Sequence, residues 1–148
     1  MEKPMNEMNL VLLSRSSNES FARTAVAAFL AQLDPTVDQL ADIKTAVSEA
    51  VTNCIVHAYR EQVGKIYINT KIYNSGRIAI RIRDKGCGIE NVQQAMEPLF
   101  TTAGEERAGL GFAVMQSFMD KLRVTSTPGR GTVVHMEKQI LSRPVENG

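Results

Sequence analysis

The chain has 148 residues, is 43% hydrophobic and 22% charged, and carries a net charge of +1. This is the balance of one soluble domain with a sizeable core, and it gives no electrostatic footprint for nucleic acid or a membrane surface. Two cysteines, with no Cys-x-x-Cys and no His/Cys cluster, argue against a zinc site or disulfide framework and point to a reducing cytoplasm.

Met1 to Ser16 holds an early acidic residue and only a short apolar run, Leu10 to Leu13, so no signal peptide or membrane span is expected. Asn9 to Ser14 reads as a short strand. Asn18 is a candidate N-cap with Glu19 in the first turn, and Phe21, Ala25 and Phe29, with Ala22 and Leu33, give a helical stripe that Asp34-Pro35 ends. A second helix opens near Thr36 and is expected to run to about Arg60, with Gly64 marking the break. Lys65 to Tyr73 and Arg77 to Arg83 alternate as strands around Asn74-Ser75-Gly76, which is hairpin chemistry. Arg77, Arg81 and Arg83 alternate on what reads as a solvated sheet face. A short helix is expected over Val92 to Met96, within a weakly patterned segment from about 90 to 108 that reads as a lid. Gly109-Leu-Gly111 then leads into a helix over Phe112 to Met119. Leu122 to Thr127 and Thr132 to Lys138 form a second hairpin around Pro128-Gly129-Arg130-Gly131, and 142–148 reads as a frayed tail. No repeat or linker interrupts the chain, so 1–148 is taken as a single domain.

Three stretches carry chemistry. On the second helix Glu49, Asn53 and His57 fall at i, i+4 and i+8, one stripe about 6 Å apart per step. Leu40, Ile43, Val47, Val51, Cys54 and Ala58 fall on another side, the core side. Asp84 continues the inward phase of Ile78, Ile80 and Ile82, so its carboxylate leaves the strand toward the core and needs hydrogen-bond donors. Its own loop amides could supply them, or a ligand amine such as that of adenine. Gly86 and Gly88 permit a turn and a close approach. Gly109 and Gly111 would let the amides of a helix N-terminus face an anion. No Walker P-loop occurs, and Gly109-Leu-Gly111-Phe-Ala-Val lacks the third glycine and the preceding strand of a dinucleotide fingerprint. Cys87, between two glycines, reads as a small residue filling a tight loop.

A helix with Glu and Asn four apart, then Asp-x-Gly-x-Gly after a strand, then Gly-x-Gly opening a helix, resembles the ATP-binding domain shared by gyrase, Hsp90, histidine kinases and MutL. Asn18-Glu-Ser-Phe-Ala-Arg23, Ala31-Gln-Leu-Asp-Pro-Thr36, Ser48-Glu-Ala-Val-Thr-Asn53 and Pro98-Leu-Phe-Thr-Thr102 narrow this resemblance to the bacterial anti-sigma serine kinases, in particular those of the sporulation sigma F type. The likeness runs from about Asn6 to Lys138. It implies an α+β fold of the Bergerat type: a two-layer sandwich, with a mixed, mostly antiparallel sheet and helices on one face.

The resemblance also implies ATP and Mg²⁺ as cofactors, with Asn53 as the metal ligand and Glu49 as general base. Asp84 would read the adenine amine, Gly86 and Gly88 would allow the approach, and Thr132 would support the adenine. Thr101, Thr102, Gly109 and Gly111 would close over the phosphates, and Arg107 would reach the γ-phosphate. Arg23 would lie at the partner-binding surface. The implied partners are a sigma factor, an anti-anti-sigma factor as phosphorylation substrate and a second copy of the chain. Two departures stand out: His57-Ala58-Tyr59 where His-Gly-Tyr is expected, and a lid of Ala-Gly-Glu-Glu-Arg in place of a charged, proline-containing run. Rival readings are a general-stress anti-sigma kinase, a histidine-kinase fragment and an ATP-gated module without catalysis. Against the histidine-kinase fragment, only about 35 residues precede the second helix, too few for a dimerisation module bearing a phospho-acceptor histidine.

Overall fold

The computed structural model describes residues 2–96 and 105–141, the side chains of 105–109 excepted. Five strands form one sheet in the order β1-β2-β3-β5-β4: β1 Asn6–Leu13, β2 Lys65–Ile72, β3 Arg77–Asp84, β4 Lys121–Thr127 and β5 Gly131–Gln139. All four neighbouring pairs are antiparallel. Helices α1 (Ser17–Leu30), α2 (Val37–Asn53), α3 (Val92–Ala95) and α4 (Glu105–Phe118) cover one face, giving the two-layer α+β sandwich.

The alternation of β2 and β3 sets the inner face. Ile66, Ile68, Ile72, Ile78, Ile80 and Ile82 are at most 1% exposed. Each isoleucine so buried contributes about 1.5–3 kcal/mol relative to exposure. Opposite them, Val26 and Leu30 of α1, Ile43, Val47 and Val51 of α2, and Phe112 and Met115 of α4 complete the core. Thr36 opens α2 with a capping box: its hydroxyl accepts from the Gln39 amide at 3.1 Å, and its own amide donates to the Gln39 side chain at 3.0 Å.

Four local expectations change. Asn18 is not the cap of α1, because the helix starts one residue before it; its side chain donates instead to the Leu13 carbonyl at 2.8 Å, tying α1 to β1. Phe21 is 54% exposed, and the buried stripe of α1 is Ala22, Val26, Ala27 and Leu30. The second helix is α-helical only to Asn53. Cys54–Ala58 then make a π-turn, closed by the Tyr59 amide donating to the Cys54 carbonyl at 3.1 Å. His57 lies within this wider turn. Finally, Gly109 and Gly111 lie inside α4, which begins at Glu105, rather than at a helix N-terminus. Packing of α4 along α2 outweighs the low helix propensity of glycine there.

Candidate functional site

A cavity of about 450 Å³ opens between the end of α2, the loop after β3, α4 and the β4–β5 hairpin. Asn53, Asp84, Gly88 and Thr132 line it, as do Cys54, His57, Cys87, Ile89 and Phe112. One wall is apolar and convergent polar groups stand at the ends, the usual make-up of a small-molecule site.

Asp84 is 6% exposed, as its inward phase requires. One carboxylate oxygen, Oδ1, accepts from the Gly86 amide at 2.9 Å and the Thr132 amide at 3.3 Å. The other, Oδ2, faces the Cys54 Sγ at 3.6 Å. Burial raises the Asp84 carboxyl above its ordinary 3.8, opposed by these amides and the thiol. Burial also raises the Cys54 thiol well above its ordinary 9.0, and the Asp84 charge adds to this, so the sulfur keeps its proton and donates. Oδ1 is thus satisfied by one amide of its own loop and one of β5, and Asp84 lines the cavity.

The glycines are spent mostly on the chain itself. A Cβ on Gly86 would stand 2.4 Å from the Ala58 carbonyl oxygen, and one on Gly88, which has φ +74°, 2.4 Å from the Thr127 carbonyl oxygen. Close approach is therefore required here, with the chain's own backbone as the neighbour. The Cys87 amide donates to the Ala58 carbonyl at 3.1 Å, and the Gly129 amide to the Cys87 carbonyl at 2.7 Å. The π-turn, the glycine loop and the second hairpin are thereby stitched into one wall. Thr132 pairs its hydroxyl with that of Ser126 at 2.8 Å, and Ser126 receives the Ile89 amide at 2.8 Å.

On the helix, Glu49 and Asn53 project from successive turns of α2, and Asn53 lines the cavity. Gly111 of α4 lies against them: a Cβ there would be 3.2 Å from Glu49 Oε2 and 3.3 Å from both polar atoms of the Asn53 amide. Among the described residues the Asn53 Nδ2 is buried with no hydrogen-bond partner, and Glu49 has no ion pair. No group of three or more His, Cys, Asp or Glu that could hold a metal ion occurs among the described residues. The side-chain oxygen of Asn53 is the kind of single protein ligand that Mg²⁺ would accept, and the ion would supply positive charge to phosphates.

Arg23 is not part of this cavity. On α1 its Nε lies 3.3 Å from Glu19 Oε1, the same oxygen that accepts from the Ser48 hydroxyl, beside a separate hollow that Thr52 and Ile55 also line. Arg107 and Gly109 lie in the first turns of α4, where side chains are outside the description, and Thr101 and Thr102 lie outside the described residues. Sequence reasoning missed the contributions of Cys54, Tyr59 and Phe112. Cys54 could be read only as a member of the core stripe. Tyr59 receives the Lys85 amide at 2.6 Å and donates to the Lys65 carbonyl at 2.8 Å, bracing the strand that carries Asp84.

Residues 14–138 match the histidine kinase-like ATPase domain family. The chain is 62% identical over 136 residues to the anti-sigma F factor of Caldanaerobacter subterraneus subsp. tengcongensis, covering 91% of this chain and 94% of that one. It is 53% identical over 137 residues to the anti-sigma F factor of Pasteuria penetrans, covering 91% of each. Among solved structures, the RsbU and RsbW domains of Rv1364c from Mycobacterium tuberculosis share the fold with a TM-score of 0.70 at 20% identity, over 95% of this chain and 34% of that one. No helix among the described residues is long and apolar enough to cross a membrane. With an asparagine and a glutamate on one helix facing a glycine of α4, and an inward aspartate at the far end of the cavity, the chain belongs to the histidine kinase-like ATPase family, on its anti-sigma F factor branch.

Proposed function

We propose that the protein is an ATP-dependent protein serine kinase that also acts as an anti-sigma factor. As a cytoplasmic homodimer it holds a sigma factor of the sigma F type inactive, and it phosphorylates a serine on a small anti-anti-sigma antagonist. The observation that carries the reading is the pairing of Glu49 with Asn53 beside Gly111, with Asn53 and the buried Asp84 lining one cavity. It supports a glutamate as base and an asparagine as metal ligand on one helix, with a separate carboxylate suited to an adenine amine.

In this reading Asp84 takes the amine and Thr132 supports the adenine. Gly86 and Gly88 shape the wall against which the purine lies. Asn53 gives one oxygen to Mg²⁺, which when bound neutralises phosphate charge. Glu49 accepts the proton of the attacking serine hydroxyl. Thr101, Thr102, Gly109 and Gly111 would close over the phosphates, and Arg107 would reach the transferred phosphoryl group. An arginine in that role is worth about 10³–10⁵ in rate in other phosphoryl-transfer systems. Arg23, braced by Glu19 and outside the cavity, serves the partner surface. Positioning and electrostatics supply the catalysis.

The test is a phosphotransfer assay with labelled ATP, Mg²⁺ and an antagonist of the anti-anti-sigma type. Label should appear on an antagonist serine and be lost with Glu49→Ala, while ATP binding and sigma binding persist in that variant. Retained transfer by Glu49→Ala would refute the base assignment. ATP binding with no transfer by the unmodified protein would leave an ATP-gated binding protein.

A further inference from the structure

A carboxylate offers about four acceptor positions, two on each oxygen. At Asp84 the chain fills three. Both positions on Oδ1 are occupied by backbone amides, Gly86 at 2.9 Å and Thr132 at 3.3 Å. One position on Oδ2 is occupied by the Cys54 thiol, at 3.6 Å, an ordinary reach for the larger sulfur atom. The remaining position belongs to Oδ2, and Asp84 and Cys54 both line the cavity.

The thiol is held as firmly as the carboxylate. Cys54 is 3% exposed and opens the π-turn, its amide bonded to the carbonyls of Ala50 and Val51. Its carbonyl accepts from the Tyr59 amide, and the Tyr59 hydroxyl in turn accepts from the Lys85 amide, next to Asp84. The backbone that carries the donor and the backbone that carries the acceptor are therefore tied into one scaffold through Tyr59.

We infer that Cys54 is a positioning residue for purine recognition: its thiol donates to Oδ2 of Asp84 and leaves that oxygen one acceptor position, directed at a single N–H of an exocyclic amine. The inference rests on the reading of Asp84 as the adenine-contacting group. A purine carrying a carbonyl in place of the amine sets acceptor against acceptor there. A purine with neither group leaves the last position unpaired. Without the thiol, Oδ2 has two open positions facing the cavity; water can occupy either, and the aim of the carboxylate is lost.

The experiment is a titration of ATP and of purine riboside triphosphate, which lacks only the exocyclic amine, against the unmodified protein, Cys54→Ala and Cys54→Ser, with thermal unfolding followed alongside. The unmodified protein should prefer ATP by at least about tenfold, as a site built to bind a donor rejects the analogue without it. Cys54→Ala should narrow that preference by about three- to tenfold, the scale of one hydrogen bond, with the loss falling on ATP alone. Cys54→Ser keeps a donor and should restore the preference to within about twofold. Where the alanine variant does not fold, Cys54→Val, which keeps an apolar side chain of similar size and removes the donor, carries the same expectation. Equal weakening of both nucleotides, or an unchanged preference in the donor-free variants, overturns the role of Cys54 alone. No preference for ATP in the unmodified protein overturns the adenine reading of Asp84, and the inference falls with it.

Discussion

At the Asp84 end of the cavity the chain supplies donors of its own: two amides on one oxygen and a thiol on the other. At Glu49 and Asn53 it leaves polar groups unpaired. Among the described residues the Asn53 Nδ2 donor is buried without an acceptor, and the residue packed against both side chains is a glycine. The first end lies between central strands of the sheet, β3 and β5; the second lies where two helices meet. In the proposed function, the difference separates recognition from transfer. A group that selects a base is useful when held still beforehand, whereas groups that meet phosphate and metal are left with open valences for charges the ligand brings.

The contrast breaks most visibly at Asp84. Asp84→Asn places an amide donor where an adenine amine also donates, and disturbs a buried network. Affinity for ATP should fall by about 100-fold or more, and stability by about 1–3 kcal/mol. Calorimetric titration and urea unfolding measure the two, and an affinity within a few-fold of the parent would show that the prepared end is not the selective one.

Gly111→Ala should sharpen the distinction. Alanine favours the helix by about 1 kcal/mol. Its Cβ would press on Glu49 and Asn53 at 3.2–3.3 Å. Stability should hold or rise while phosphotransfer drops by about tenfold, the cost of a small misplacement of reacting groups. A variant that is both more stable and fully active would mean that the α2–α4 contact lies away from the chemistry.

The smallest effect is one of pH. Burial, the dominant cause, raises the Asp84 carboxyl above 3.8, against the pull of the Gly86 amide, the Cys54 thiol and the Thr132 amide. Its contribution to stability is then fullest below the unfolded-state value and is lost as pH rises through the folded one. Stability of the parent relative to Asp84→Asn should therefore decline with rising pH from about 4 upward, read by unfolding at a series of pH values. A difference that grows with pH would contradict the direction of the shift.

Much of this was legible before the fold was known. The period-two pattern of β2 and β3 places six isoleucines on one face, and the same phase sends Asp84 inward. Thr36 announces its helix, and the Glu49–Asn53 spacing survives because both residues, four positions apart, lie in true α-helix. The losses have a common cause, which is contact with distant segments. The π-turn at Cys54–Ala58 answers to a loop about thirty residues on, where Ala58 meets Gly86 and Cys87, and no local pattern encodes it. Gly109 and Gly111 look like a loop by propensity, and the neighbouring α2 decides otherwise. Phe21 fits a helical stripe by type, yet alanines and a valine face the sheet from α1, and Phe21 is left outside.

The position of β5 carries a consequence for synthesis. This last strand lies between β3 and β4, and its Thr132 amide is one of the groups that hold Asp84. A nascent chain emerges from its N-terminal end. Until residues 131–139 have left the ribosome, β3 lacks a neighbour on one side and Asp84 lacks one of its amides. Glu49 and Asn53 are translated some eighty residues before the strand that completes the cavity. Products that stop before Gly131 therefore lack the strand that gives Asp84 its second amide, and in the proposed function should lose nucleotide selection while keeping the helix with its glutamate and asparagine intact in sequence.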